Sequence, residues 1–172
     1  MKNIIILNGA AKKNGHTAGL IEAFSEGAKS ACNSVKEFYL QGMEINGCLD
    51  CGGCLRRGKD APRFCVQQDD MQQIYQAFVE ADVIVFASPV YWWEISGLLK
   101  TAVDRLYALT AKDKKQFAQK GTVLLMTAGT TDYSYPLAWY AGFERYLGCK
   151  NLGTVLGSEK TEAAKALGAS IS

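Results

Sequence analysis

The chain has 172 residues, 48% of them hydrophobic, which suits one domain with a substantial core and is short for two. Nineteen Lys and Arg against seventeen Asp and Glu leave a formal charge of +2, too weak a field to argue for nucleic acid or an anionic membrane, so any anion must be held locally. The opening "KNIIILNGAAKKNG" lacks the apolar segment and cleavage site of a leader, and no run is long enough to span a bilayer. The expectation is therefore a cytoplasmic protein, in which cysteines serve metals or redox chemistry rather than structural disulfides.

In chain order, "KNIIIL" reads as a short buried strand closed by Asn8 and Gly9. From Thr17 the apolar positions Leu20, Ile21, Phe24, Ala28 and Ala31 recur at helical steps. "SVKEFYL" is strand-like, and a cysteine-rich stretch follows it. Asp69 looks like an N-cap for a helix carrying Met71, Ile74, Tyr75 and Phe78. The apolar run "DVIVFASP" comes next. Ile95, Leu98, Leu99, Ala102, Val103 and Leu106 then fall at offsets 3, 4, 7, 8 and 11 from the first, one face of a helix. After the polar segment "TAKDKKQFAQKG" come the run "TVLLMTAG", an aromatic helix near residues 135 to 147, the strand-like "NLGTVLG", and a last helix from Thr161. Strands alternating with helices predict right-handed crossovers and a parallel sheet covered on both faces. The expected fold is a single α/β domain over residues 1–172, an open three-layer sandwich of five strands.

Ligands of such sheets sit at the carboxyl ends of the strands. Three loops leave those ends: residues 9 to 17, 88 to 97 and 128 to 135. "GAAKKNGHT" offers backbone amides at a helix N-terminus, with Lys12 or Lys13 and Thr17, as a phosphate cradle. It is neither a Walker A loop, since His16 follows Gly15, nor a G-x-G-x-x-G fingerprint, nor the Cys-Arg loop of a phosphatase. A lone terminal phosphate fits, and a plain polar turn is the alternative. "SPVYWWEISGLLKTAVDR" sets Pro89, Tyr91, Trp92 and Trp93 beside it, with packing or dimer contact as the alternative role for either tryptophan. "TAGTTDYSYP" adds Ala128, Gly129 and Thr130, where a ring edge would receive hydrogen bonds. The three together describe a pocket for a flat phosphorylated heterocycle, and FMN fits.

On these residues the chain resembles the flavodoxin-like FMN family, specifically its NADPH-dependent FMN reductase and iron-sulfur flavoprotein branch. The first loop is similar to that branch's G-S-P-R-x-x-G-N-T motif at Gly9, Lys12, Asn14, Gly15, His16 and Thr17, with Ala10 and Ala11 replacing Ser-Pro and His16 replacing Asn. "ADVIVFASPVYWWEISGLLKTAVDRL" resembles the branch's second segment nearly throughout. The resemblance implies a flavodoxin-like sheet of order 2-1-3-4-5, with Pro89, Val90, Tyr91 and Trp92 approaching the isoalloxazine and Ser96 helping to close the loop. It implies that Lys100, Asp104 and Arg105 anchor a helix or a subunit contact. Chemistry would be carried by FMN with no catalytic side chain, NAD(P)H as donor and an acceptor the loops do not specify, in a homodimer or homotetramer. It further implies a [4Fe-4S] cluster on Cys48, Cys51, Cys54 and Cys65, in a C-x2-C-x2-C-x10-C pattern whose last interval exceeds the usual one. An electron carrier without small-molecule turnover, a zinc-stabilised structural module, and a loop of free thiols are the alternatives.

Overall fold

The computed structural model describes residues 1–172. Strand β1 (Asn3–Asn8) leads through helix α1 (His16–Ser30) to β2 (Ser34–Tyr39). The cysteine-rich segment then crosses to α2 (Met71–Glu80) and β3 (Val83–Tyr91). A two-residue strand β4 (Glu94–Ile95) turns into α3 (Gly97–Arg105), followed by α4 (Tyr107–Asp113) and α5 (Lys115–Ala118). β5 (Gly121–Thr127), α6 (Ser134–Leu147), β6 (Lys150–Leu156) and α7 (Thr161–Ala169) complete the chain. The five long strands pair in parallel in the order β2-β1-β3-β5-β6, which is the expected 2-1-3-4-5 with one additional short strand.

The alternation of side chains along the strands builds both cores. Ile4 and Ile6 of β1, with Val83, Val85, Val123 and Leu125, meet Leu20, Phe24 and Ala28 of α1 and Ala164 of α7 on one face. Ile5 and Leu7, with Ile84, Phe86, Leu124 and Met126, meet α2 through α6 on the other. Each fully buried Leu, Ile or Phe contributes roughly 1.5–3 kcal/mol, so the two layers supply the main driving force. No helix is long and apolar enough to cross a membrane.

Three details depart from the sequence reading. β4 pairs antiparallel with β3 through Val90↔Ile95 and Tyr91↔Glu94, forming a hairpin whose two turn residues, Trp92 and Trp93, have φ of 49° and 62°. The polar segment before β5 folds as α4 and α5 because Leu109 and Phe117 are fully buried. Asp69 caps α2 as expected, its carboxylate accepting the Met71 amide at 3.2 Å while Asp70 is already in helical backbone with no side-chain cap bond, but the same carboxylate also binds Arg105, which the sequence reading did not include.

Candidate cofactor-binding site

The carboxyl ends of β1, β3, β5 and β6 surround a cavity of about 350 Å³. That volume lies within the range of small-molecule and cofactor sites, roughly 300–1,000 Å³. Its first wall is the turn after β1, contributing Ala10, Ala11, Lys12, Gly15, His16 and Thr17. Asn8 sets this turn: its Oδ1 accepts the Ala10 amide at 2.9 Å and its Nδ2 donates to Glu37 at 2.7 Å. The Tyr39 hydroxyl holds the Ala11 carbonyl at 3.0 Å. The amides of Ala11 through Thr17 donate to no acceptor in the protein, and of these residues Ala11, Lys12, Gly15, His16 and Thr17 line the cavity, bringing unpaired N–H groups to it at the positive end of α1. Thr17 Oγ1 lies 2.8 Å from Thr127 Oγ1, joining the start of α1 to the end of β5 in the buried floor.

Pro89, Val90 and Tyr91 form the second wall. Their position relative to the first is fixed by a buried network. Gly9 donates its amide to the Ala87 carbonyl at 2.8 Å, and its carbonyl accepts Ser96 Oγ at 2.7 Å. Ser96 also caps α3, accepting the Leu99 amide at 3.2 Å, while its own amide donates to Ser88 Oγ at 2.9 Å. A Cβ at Gly9 would stand 2.6 Å from Ser96 Oγ and 2.7 Å from Leu99 Cβ, so only glycine permits this approach. Thr127, Ala128, Gly129 and Ser158 close the third side.

The sequence-selected residues therefore divide. Ala10, Lys12, Gly15, His16, Thr17, Pro89, Val90, Tyr91, Ala128 and Gly129 line the one cavity. Gly9 and Ser96 stand behind its wall and hold it in shape. Asn14 borders a separate groove with Lys13, Glu22 and Lys29, and Thr130 lines an adjoining hollow with Tyr133 and Glu159. Trp92 is 88% exposed at the hairpin tip, outside the cavity lining. Thr127 and Ser158 were not selected from the sequence. Ser158 follows the last parallel strand, and considering all four strand ends together would have drawn it in.

Beside this site, the cysteine segment is organised by Arg105. Its side chain, with the residue only 2% exposed, binds Asp69 at 2.7 and 3.1 Å, donates to the Asn46 carbonyl at 2.7 Å and reaches Cys65 Sγ at 3.5 Å. Burial alone would raise the Asp69 carboxyl. The hydrogen bonds from Arg105 and from the Asn46 and Met71 amides, with the Arg105 charge, outweigh it and hold Asp69 below its ordinary value. Burial pushes the Cys54 thiol up, and Cys65, Cys48 and Cys51 add to that effect. No three His, Cys, Asp or Glu side chains converge as a group able to hold a metal ion, so Cys48, Cys51, Cys54 and Cys65 are near one another without forming a coordination shell.

Comparison with known proteins gives the family and the fold. Residues 2–134 match the NADPH-dependent FMN reductase family. An iron-sulfur flavoprotein of Archaeoglobus fulgidus is 32% identical over 106 residues, covering 62% of this chain and 46% of that protein. One from Methanosarcina thermophila is 33% identical over 117 residues, covering 68% and 57%. The chain thus spans about half the length of these curated relatives. Among solved structures, the NAD(P)H:quinone oxidoreductase of Methanothermobacter marburgensis superposes with a TM-score of 0.72 at 18% identity, covering 99% of both chains, a likeness of fold. By the family match over most of its length, on a flavodoxin-like sheet, this chain belongs to the NADPH-dependent FMN reductase family.

Proposed function

We propose that the chain is an FMN-dependent oxidoreductase using NAD(P)H as electron donor, with residues 1–172 acting as one FMN-binding domain. The observation that carries this reading is that Ala11, Lys12, Gly15, His16 and Thr17, whose amides have no acceptor in the protein, line a cavity that Pro89, Val90 and Tyr91 also line. The amides, the Thr17 hydroxyl and Lys12 suit a phosphate; Pro89, Val90 and Tyr91 suit a flat ring; Ala128 and Gly129 suit its polar edge. When bound, FMN supplies hydride and single-electron chemistry at its ring. The protein's part is to neutralise the phosphate at the α1 terminus, to hold the ring against the β3 hairpin, and to leave one side open for donor and acceptor in turn. His16 begins α1 at the phosphate wall and is assigned no proton transfer.

Gly9, Asn14 and Ser96 belong to this proposal as residues that shape the loops, and Trp92 and Thr130 as residues at the rim. A small-molecule acceptor and assembly as a homodimer or homotetramer complete it. A [4Fe-4S] cluster on Cys48, Cys51, Cys54 and Cys65 is not shown here: no three His, Cys, Asp or Glu side chains are gathered as a group that could hold a metal ion. No electron path is routed through such a cluster. Anaerobic mixing of the flavin-loaded protein with NADH or NADPH tests the reading. Bleaching of the visible flavin band followed by steady donor oxidation with a quinone or azo dye is expected. A flavin that bleaches only with a protein donor would assign the chain as an electron carrier instead.

A further inference from the structure

Strand β2 reaches the phosphate turn through two side chains. Val35 packs into the layer beneath α1, and Glu37 and Tyr39 follow it at two-residue steps on the same face of the strand. The Tyr39 hydroxyl donates to the Ala11 carbonyl. Glu37 Oε1 accepts Asn8 Nδ2 at 2.7 Å, and Asn8 Oδ1 in turn accepts the Ala10 amide at 2.9 Å. Glu37 makes no ion pair, although Lys13 and Lys29 border the same groove.

Chemistry fixes the sense of this relay. Asn8 is only 2% exposed, and its side-chain amide has two unlike ends, an acceptor and a donor. The Ala10 N–H can only donate, and an ionised carboxylate can only accept. One orientation of the Asn8 amide therefore satisfies both neighbours, with its carbonyl to Ala10 and its NH2 to Glu37. With no acceptor at position 37 the amide is free to turn over. With a donor there, it would turn its carbonyl to that donor and set its NH2 against the Ala10 N–H, donor against donor. Charge alone favours the opposite choice, since a cation near the turn would attract a phosphate and a carboxylate repels it. What Glu37 supplies is hydrogen-bond polarity.

We infer that Glu37 is a positioning residue for the turn that meets the flavin phosphate. Acting through Asn8, it holds the Ala10 end of the turn in the shape that brings Ala11, Lys12 and the start of α1 to the cavity. The inference rests on the FMN reading of that cavity and extends the phosphate site from the loops to β2.

The test uses the full chain carrying Glu37→Gln, Glu37→Met or Glu37→Lys. Each apoprotein is titrated with FMN and with riboflavin, and exchange of the Ala10 amide is followed by NMR without flavin. Gln keeps an acceptor and drops the charge, so its preference for FMN over riboflavin and its Ala10 protection should stay within about twofold of wild type. Met should lose about tenfold in both, the scale of one hydrogen bond. Lys should lose more than Met in spite of its added positive charge. In an Asn8→Ala background, Glu37→Met should change the preference no further, because Glu37 acts through Asn8. A rise in FMN preference from wild type to Gln to Lys would overturn the inference in favour of plain charge. Equal weakening of both flavins would overturn it too, since lowered stability alone produces that result. A wild type that binds FMN no better than riboflavin would refute the phosphate reading itself. The Glu37–Asn8 relay is then decided by Ala10 exchange, and unchanged protection in the Met and Lys variants would overturn it.

Discussion

Ser96 Oγ donates to the carbonyl of Gly9 at 2.7 Å, tying the cap of α3 to the turn that follows β1. The same oxygen accepts the Leu99 amide, so one buried hydroxyl sets both the start of a helix and the position of the phosphate wall. Ser96→Ala removes the cap and leaves the Gly9 carbonyl unpaired, and should destabilise the fold by about 1–3 kcal/mol. Urea denaturation measures that loss. FMN affinity should weaken with it; unchanged affinity would show that the turn keeps its shape without the tie.

Gly9→Ala acts on the same junction from the other side. The added carbon meets Ser96 Oγ and Leu99 Cβ below 3 Å, so the backbone must move away. FMN affinity should fall further than in Ser96→Ala. The double variant should lose less than the sum of the two single losses, because both break one contact.

The hairpin between β3 and β4 places two consecutive tryptophans in the left-handed region. A two-residue turn of this kind favours Asn-Gly, and a non-glycine residue held there costs of order 1–3 kcal/mol. Trp92→Asn with Trp93→Gly should therefore raise stability by about 1–2 kcal/mol, read as a higher denaturant midpoint with an unchanged slope. FMN affinity should fall at the same time, since the Trp92 ring is assigned to the rim of the flavin. Gain in stability with loss of binding is the signature of strain kept for a site.

The buried Arg105–Asp69 pair makes stability depend on acid. Asp69 is held below its ordinary value, so its contribution is fully present above the unfolded carboxylate value of about 3.9 and is lost as pH falls through the depressed native value. Asp69→Asn should cost about 3–5 kcal/mol at neutral pH by leaving a buried guanidinium charge uncompensated. The difference from wild type should shrink at the acid end of a pH series of unfolding curves. A difference that stays constant down to the lowest pH would contradict the assignment.

The layered sheet was readable because its signals are local and repeated. The isoleucines of β1 and the spaced apolar positions from Ile95 to Leu106 each declare an element without help from the rest. The β3–β4 hairpin was not readable, because Trp92-Trp93 carries none of the Asn-Gly chemistry that announces such a turn. α4 and α5 hid where Leu109 gives way to a polar segment with Phe117 as its one large buried apolar residue, too sparse to show a period. At the site, the two loops flanking β1 and β3 were visible from their composition. Ser96 and Gly9 proved to support the cavity wall, a distinction that only three-dimensional contact reveals. The Arg105–Asp69 pair joins residues 36 apart in sequence, and nothing local to either pointed to the other.

A binding titration of the apoprotein with FMN and with riboflavin tests whether the unpaired amides after β1 hold the phosphate of FMN, as proposed. One FMN should bind per chain, and riboflavin should bind more weakly by on the order of 100-fold, the loss expected when charge-assisted hydrogen bonds worth about 1.5–3 kcal/mol each have no phosphate to meet. Equal affinity for the two flavins, or no binding of either, would contradict it.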